Sequence, residues 1–257
     1  MPLIETTAGP LWYADHRDPV EHLPVTLLVH GAGGSHLDWP AELRRMPEAN
    51  AVAADLPGHG RSPGAGRTSI GAYAAAMLAL LDALKLERAI VAGHSMGGAI
   101  AQQMALDYPD RVAGIILVGT GAKLGVSPEL LGAIRADKPR AVEIILRGYW
   151  GDSAEYDQLR RLSRGRLLEF NAETLYGDYA ACNAFDIRAR VGFIRQPALI
   201  IGGDQDTMTP LKYSQYLHEQ IAGSELVVIV GGAHMMTLQQ PQAVADAVRL
   251  WLSARHA

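Results

Sequence analysis

A chain of 257 residues, 49% apolar and 19% charged, is long enough to bury a full core and too apolar to be largely disordered. Its net charge of −4, from 23 basic and 27 acidic residues, argues against a generic nucleic-acid binder, which would carry a basic excess or stripe. The single cysteine, Cys182, excludes an intramolecular disulfide framework and a cysteine-based zinc site, and reads as a small buried hydrophobe.

Residues 1–5 have no basic stretch leading into an apolar one, so no secretory signal is visible and a soluble, cytoplasmic protein is expected. The first strong strand is predicted at 25–29, a near-continuous apolar run of the kind buried on both faces of a parallel sheet, ending in His30-Gly31-Ala32-Gly33-Gly34. A second run, 51–54, ends at Asp55-Leu56-Pro57-Gly58-His59-Gly60. The spacing of Tyr73, Met77, Leu80, Leu81 and Leu84 predicts a helix over 69–84, too short and too mild to span a membrane. A strand at 89–92 is followed by Gly93-His94-Ser95-Met96-Gly97-Gly98 and a helix over 97–108, stopped by Pro109. Further strands are predicted at 114–118, 198–201 and 226–230, with helices at 211–221 and 241–252. Between 122 and 190 no buried strand appears. Helical pieces at 128–137, 141–149, 154–170 and 173–183 carry denser charge than their flanks. The expected organisation is an α/β core from 1–121 and 191–257, with a four-helix insert at 122–190 capping one edge of the sheet.

Ser95 lies where a strand turns sharply into a helix. A serine there is forced into a strained backbone, with small residues needed two positions before and after it, and its hydroxyl is left exposed above the sheet. Serine needs a positioned base to act as a nucleophile. His234 follows the last predicted strand on a loop at the same end of the sheet. His30 and His94 sit inside glycine motifs, His16, His22 and His256 lie near the chain ends, and His218 falls in a helix; His36 and His59 are the other strand-end imidazoles. The base needs a carboxylate to hold its tautomer, and the segment Gly203-Asp204-Gln205-Asp206 offers Asp204 and Asp206. Amide donors for an oxyanion are expected from Met96, which follows the nucleophile, and from Ala32, with Gly33 as the alternative. The glycine loop lacks the lysine and spacing of a nucleotide-binding loop.

These motifs together resemble the α/β-hydrolase fold with a helical cap, over nearly the whole length. The resemblance rests on His30-Gly31 after a strand, the segment from Asp55 to Ser62, Gly93 to Gly98, Asp206 with Pro210, and His234 before Gln240-Pro241. In that family the acid commonly lies four residues before a proline, which selects Asp206 over Asp204. The Asp55–Ser62 segment resembles a structural turn of the family. Serine at 95 is unlike the aspartate nucleophile of epoxide hydrolases and dehalogenases. Met235 stands where C–C bond hydrolases often carry tryptophan, and Ala32 where haloperoxidase-like members carry a bulky aromatic.

The reading that remains is a carboxylesterase-type serine hydrolase acting on small to medium, largely neutral esters, with no metal and no organic cofactor. An enol-lactonase of aromatic catabolism, a C–C bond hydrolase and a ligand-binding member with an idle triad are the alternatives. The expected partner is a small-molecule ester, with no nucleic acid and no membrane, and the expected state is a monomer or homodimer. Leu124, Tyr149, Trp150, Phe185, Met235 and Met236 are expected to line the pocket between insert and sheet.

Overall fold

The computed structural model describes residues 3–17, 23–151 and 153–256. Its frame is one eight-stranded sheet of β1 (Leu3–Ile4), β2 (Leu11–Asp15), β3 (Val25–Val29), β4 (Ala51–Ala54), β5 (Ala89–His94), β6 (Val112–Val118), β7 (Ala198–Gly203) and β8 (Glu225–Ile229). The spatial order is β1-β2-β4-β3-β5-β6-β7-β8. Pairing is antiparallel from β1 through β2 to β4 and parallel from β4 to β8. All six strands expected from the sequence are present. β1 and β2 were not expected: they form an antiparallel edge, and β2 is an aromatic segment, Leu-Trp-Tyr-Ala-Asp, rather than an aliphatic run.

The helices are α1 (Ala41–Arg44), α2 (Ile70–Ala83), α3 (Met96–Asp107), α4 (Pro128–Ala136), α5 (Lys138–Trp150), α6 (Asp157–Glu169), α7 (Ala172–Ala184), α8 (Leu211–Gln220), α9 (Met236–Gln239) and α10 (Pro241–His256). Side-chain oxygens satisfy otherwise unpaired amides at several starts: Ser69 accepts from Ala72, Ser127 from Leu130, Asp137 from Arg140 and Asn171 from Thr174. α3 differs. Ser95 stands in its N-cap position, yet its side chain makes no capping bond.

Parallel strands covered on both faces must be apolar on both, and the alternation is visible in β3. Leu27 and Val29 join a cluster with Tyr73, Met77 and Ile100 of α2 and α3, while Leu28 joins Trp39, Val244 and Trp251 on the opposite face. The four helices α4–α7 lie between β6 and β7 in the chain, and their apolar faces extend the first cluster through Ile134, Ile145, Leu167 and Leu175. No helix among the described residues is long and apolar enough to cross a membrane.

Candidate active site

Ser95 sits at φ 54°, ψ −116°, a region that L-residues avoid. Close packing holds it there. A Cβ added to Gly93 would stand 2.0 Å from the Gly97 carbonyl oxygen, and one added to Gly97 would stand 2.1 Å from the Val29 carbonyl oxygen. Only glycine permits the helix to start so near the strands. The Ser95 amide donates to Val118 O at 2.9 Å, and its carbonyl accepts from the Thr120 hydroxyl at 2.8 Å. The backbone is fixed while the hydroxyl stays free.

That hydroxyl lies 3.0 Å from His234 Nε2, and His234 Nδ1 lies 2.9 Å from Asp206 Oδ2. Asp206 also accepts from the amides of Met208 (2.9 Å) and Thr209 (2.8 Å) and from the Thr209 hydroxyl (2.7 Å). Burial alone would raise the Asp206 carboxyl, but neighbouring His234 and the Thr209 bonds outweigh it and hold the group below its ordinary value. A carboxylate at Nδ1 leaves Nε2 free to accept the serine proton. His94 donates from Nε2 to the His234 carbonyl at 2.8 Å, and burial lowers its own titration to about 4, so it serves as a neutral brace.

The other sequence candidates are occupied elsewhere. Asp204 accepts from the Gly231 amide at 2.7 Å, tying its loop to the turn after β8. His36 Nδ1 meets Asp55 at 2.9 Å, and His59 Nε2 meets Asp178 at 2.7 Å. His30, buried and lowered to about 4 by that burial, accepts from the Leu56 amide at 3.1 Å. His16 lies beside Arg44, and His218 beside Ser224. His22 lies outside the described residues.

In the glycine loop, the Gly34 amide donates to Gly31 O at 3.2 Å and the Gly33 amide to Asp178 Oδ2 at 2.9 Å. The amides of Ala32 and Met96 have no hydrogen-bond partner among the described residues. Two donors, on the loop after β3 and at the start of α3, are therefore uncommitted beside Ser95, whereas Gly33 is not available.

A cavity of about 50 Å³ opens at this point, lined by Ala32, Ser95 and His234 from the core and by Tyr149, Tyr179 and Cys182 from the helical insert. Of the expected walls, Leu124, Tyr149 and Met235 border it. Trp150, Phe185 and Met236 do not. Trp150 is 1% exposed and packs towards Tyr156, with ring centroids 6.2 Å apart. Phe185 lies in a separate crevice with Ser69, Ile70 and Gln103. Met236 is buried in the opposite core cluster, near Gly203 and Gly119. Successive helical positions point about 100° apart, so in α5 Trp150 turns away from the cavity that Tyr149 faces.

Sequence reasoning missed Asp38, a buried carboxylate on the cavity wall. It is bound to Arg166 of α6 at 2.8 Å and to the Ser35 amide at 3.2 Å. The pattern Ser35-x-x-Asp38 is a capping box, a local signal that marks a helical turn and nothing about the cavity. Tyr179 and Cys182 carry no signal beyond an apolar helix face.

The sequence profile described as the alpha/beta hydrolase family matches residues 26–247. The chain belongs to that family. It is 30% identical over 240 residues to a pimeloyl-[acyl-carrier protein] methyl ester esterase of Neisseria meningitidis, covering 86% of this chain and 91% of the relative. Among solved structures, a thermophilic esterase from Thermogutta terrifontis superposes with TM-score 0.86 at 25% identity, covering 99% of this chain and 98% of that one. The enol-lactonase from Burkholderia xenovorans LB400 superposes with TM-score 0.89 over 98% of this chain and 100% of that one; at 23% identity the likeness is one of fold.

Proposed function

We propose that this member of the alpha/beta hydrolase family is a serine esterase that cleaves small, uncharged carboxylic esters through an acyl-enzyme on Ser95. The observation that carries the reading is the unbroken line Ser95 Oγ–His234 Nε2 (3.0 Å) and His234 Nδ1–Asp206 Oδ2 (2.9 Å) at a serine held in a strained turn. Ser95 Oγ attacks the ester carbonyl carbon as its proton passes to His234 Nε2. The carbonyl oxygen becomes an oxyanion facing the Ala32 and Met96 amides, and Asp206 stabilises the imidazolium. Collapse breaks the bond to the alkoxy oxygen, which leaves with the proton from His234. Water then repeats the sequence on the acyl-enzyme, releasing the acid and restoring Ser95.

The cavity supports the substrate class. Its small volume suits a short acyl group, and among the described residues Asp38 is the one acidic side chain lining it, no lysine or arginine lines it, and Arg166 pairs with Asp38 at 2.8 Å. A carboxylate on the acyl group would find no unpaired cation on that wall, because Arg166 is already engaged by Asp38. The segment 122–190, whose helices supply Tyr149, Tyr179 and Cys182, acts as the cap that closes the site. The esterase relative and neighbour agree with ester hydrolysis as the reaction class.

The test is a panel of short p-nitrophenyl esters, lactones and thioesters with wild type and Ser95→Ala. Wild type should turn over the short esters, and the variant should lose about 10⁶-fold in kcat. A Ser95→Ala protein keeping a tenth of the wild-type rate would remove Ser95 from the mechanism. Turnover of lactones alone would move the reading to lactone hydrolysis.

A further inference from the structure

The cavity beside Ser95 contains a buried acceptor with capacity to spare. Of the lining hydroxyls outside the triad, Tyr149 donates to the Ala32 carbonyl oxygen at 3.0 Å, Tyr179 bonds to Tyr149, and Thr209 donates to Asp206 at 2.7 Å. Leu124, Val126, Met208 and Met235 add apolar surface. Asp38 differs. It ends the short helical turn His36–Asp38, on the loop that also carries the Ala32 amide, and is 5% exposed. Its Oδ1 accepts from Arg166 Nη2 at 2.8 Å and its Oδ2 from the Ser35 amide at 3.2 Å. A carboxylate has about four acceptor positions, so these bonds leave about half of them open.

Neither bond accounts for a carboxylate on the cavity wall. The Ser35 bond is half of a capping box, which needs an acceptor and no charge. The Arg166 bond ties the insert to the core, but an ion pair whose arginine side chain is 40% exposed adds little to stability. The loop nevertheless leaves room for the group: a Cβ added to Gly34 would overlap Asp38 Oδ2. Charge balance then restricts what can bind. Arg166 already pairs Asp38, so an ammonium group would bring an unmatched positive charge into the cavity, and a carboxylate would find no free cation on its wall. A neutral hydroxyl carries the donor that the open acceptor positions lack, and it is small enough for a cavity of about 50 Å³.

We infer that Asp38 is a specificity-determining residue that accepts a hydrogen bond from a hydroxyl on the acyl group, so that the preferred substrates are esters of short hydroxy acids. The inference rests on the ester-hydrolysis reading and names its substrate class. The acceptor and the carbonyl site belong together: Ala32, whose amide faces the ester oxygen in that reading, and Asp38 sit on one loop and border one cavity. An ester without the hydroxyl would cover the open positions of Asp38 with apolar atoms and give nothing back for the hydration they lose. That penalty is what separates the two kinds of substrate.

The test compares wild type on ethyl butyrate with the separate enantiomers of ethyl 2-hydroxybutyrate and ethyl 3-hydroxybutyrate, and with the matching methoxy esters, which keep the oxygen and lose the donor. One hydroxy isomer should exceed both butyrate and its own methoxy analogue in kcat/KM by about tenfold, and by no less than about threefold, as a hydrogen bond to a charged acceptor would give. If no hydroxy isomer reaches about threefold, or if its methoxy analogue shares the preference, the inference falls. Asp38→Asn keeps the shape, but its single oxygen is drawn to Ser35 and Arg166, and its NH2 group presents a donor where the substrate needs an acceptor. The hydroxy-to-butyrate ratio should then fall by at least about threefold. A smaller change, however much both esters are slowed, makes Asp38 a structural residue and overturns the inference. If Asp38→Asn does not fold, the wild-type ratios decide. A wild-type protein that turns over none of these esters and no p-nitrophenyl ester would sink the ester reading instead. The same ethyl esters are then titrated into it calorimetrically. Binding of a hydroxy isomer at least about threefold tighter than butyrate supports the acceptor role of Asp38, and a smaller difference or no binding overturns it.

Discussion

The strand-end loops and the helical insert reach the same cavity by different physics. Ser95, Asp206 and His234 ride on loops that leave the parallel strands β5, β7 and β8, and glycines at 93 and 97 let the serine turn pack at contact distance. Their positions follow from backbone packing and from short local motifs. Tyr149, Asp178 and Arg166 come instead from three different helices and arrive through long-range side-chain bonds to Ala32, Gly33 and Asp38. The core thus holds Ser95, His234 and Asp206 in one bonded line, and helices of the insert line the cavity beside them. Rigid sheet and docked helices are held to different tolerances, and substitutions should reveal it.

The largest contrast lies between two carboxylates two residues apart. Asp206 contacts His234, whereas Asp204 ties its loop to the Gly231 amide. Asp206→Asn should cost about 10⁴-fold in kcat because the wrong histidine tautomer is then favoured, while Asp204→Asn should cost less than about tenfold. The reverse order in the same p-nitrophenyl ester assay would break the assignment.

Next comes a pair of glycines, one in each region. An added methyl at Gly97 would sit 2.1 Å from the Val29 carbonyl, backbone against backbone with no flexible neighbour to yield, whereas Gly132 in α4 has nothing within 4 Å. Gly97→Ala should destabilise the fold by at least about 3 kcal/mol, at or beyond the upper range for overpacking. Gly132→Ala should stabilise it by about 0.5–1 kcal/mol through helix propensity. Urea melts that ranked the two variants equally would erase the proposed difference in tolerance.

A smaller effect should follow pH. His30 and His94 are held neutral by burial, their titration lowered from 6.5 to about 4. Between those limits the unfolded chain binds protons that the fold refuses, so stability is full above about pH 6.5 and falls as pH drops towards 4. Each imidazole contributes up to about 3 kcal/mol to that fall. His59 works against them. Burial lowers it, but the Asp178 charge outweighs burial and leaves it raised, so its stabilisation is fullest at low pH. Denaturant melts should show a net loss on the order of a few kcal/mol from pH 7 to pH 4.5. Equal or greater stability at pH 4.5 would mean the two imidazoles are not buried neutral.

The same division explains how far the sequence could be read. Six strands and the serine turn were legible because each is written in consecutive residues: an apolar run, then glycines at fixed offsets around Ser95. Choosing Asp206 over Asp204 needed the family's proline spacing, since two adjacent carboxylates on one loop look alike. The antiparallel edge was missed because β2 mixes aromatic and polar residues and pairs by register, Tyr13 with Ala54, rather than by an aliphatic signature. The cavity walls were half-read. A helix face shows which positions are apolar, but its rotation and docking decide whether Tyr149 or Trp150 points inwards. Asp38 and Asp178 were invisible as site neighbours because their partners lie 128 and 145 residues away in the chain.

The central claim, that Ser95 is the group that becomes acylated, is tested most directly by a covalent trap. Incubation with a fluorophosphonate followed by intact-mass and peptide mapping should find one adduct per chain, on Ser95, with esterase activity lost in step with its formation. An adduct on another residue, or full ester turnover by a chain fully modified at Ser95, would contradict it.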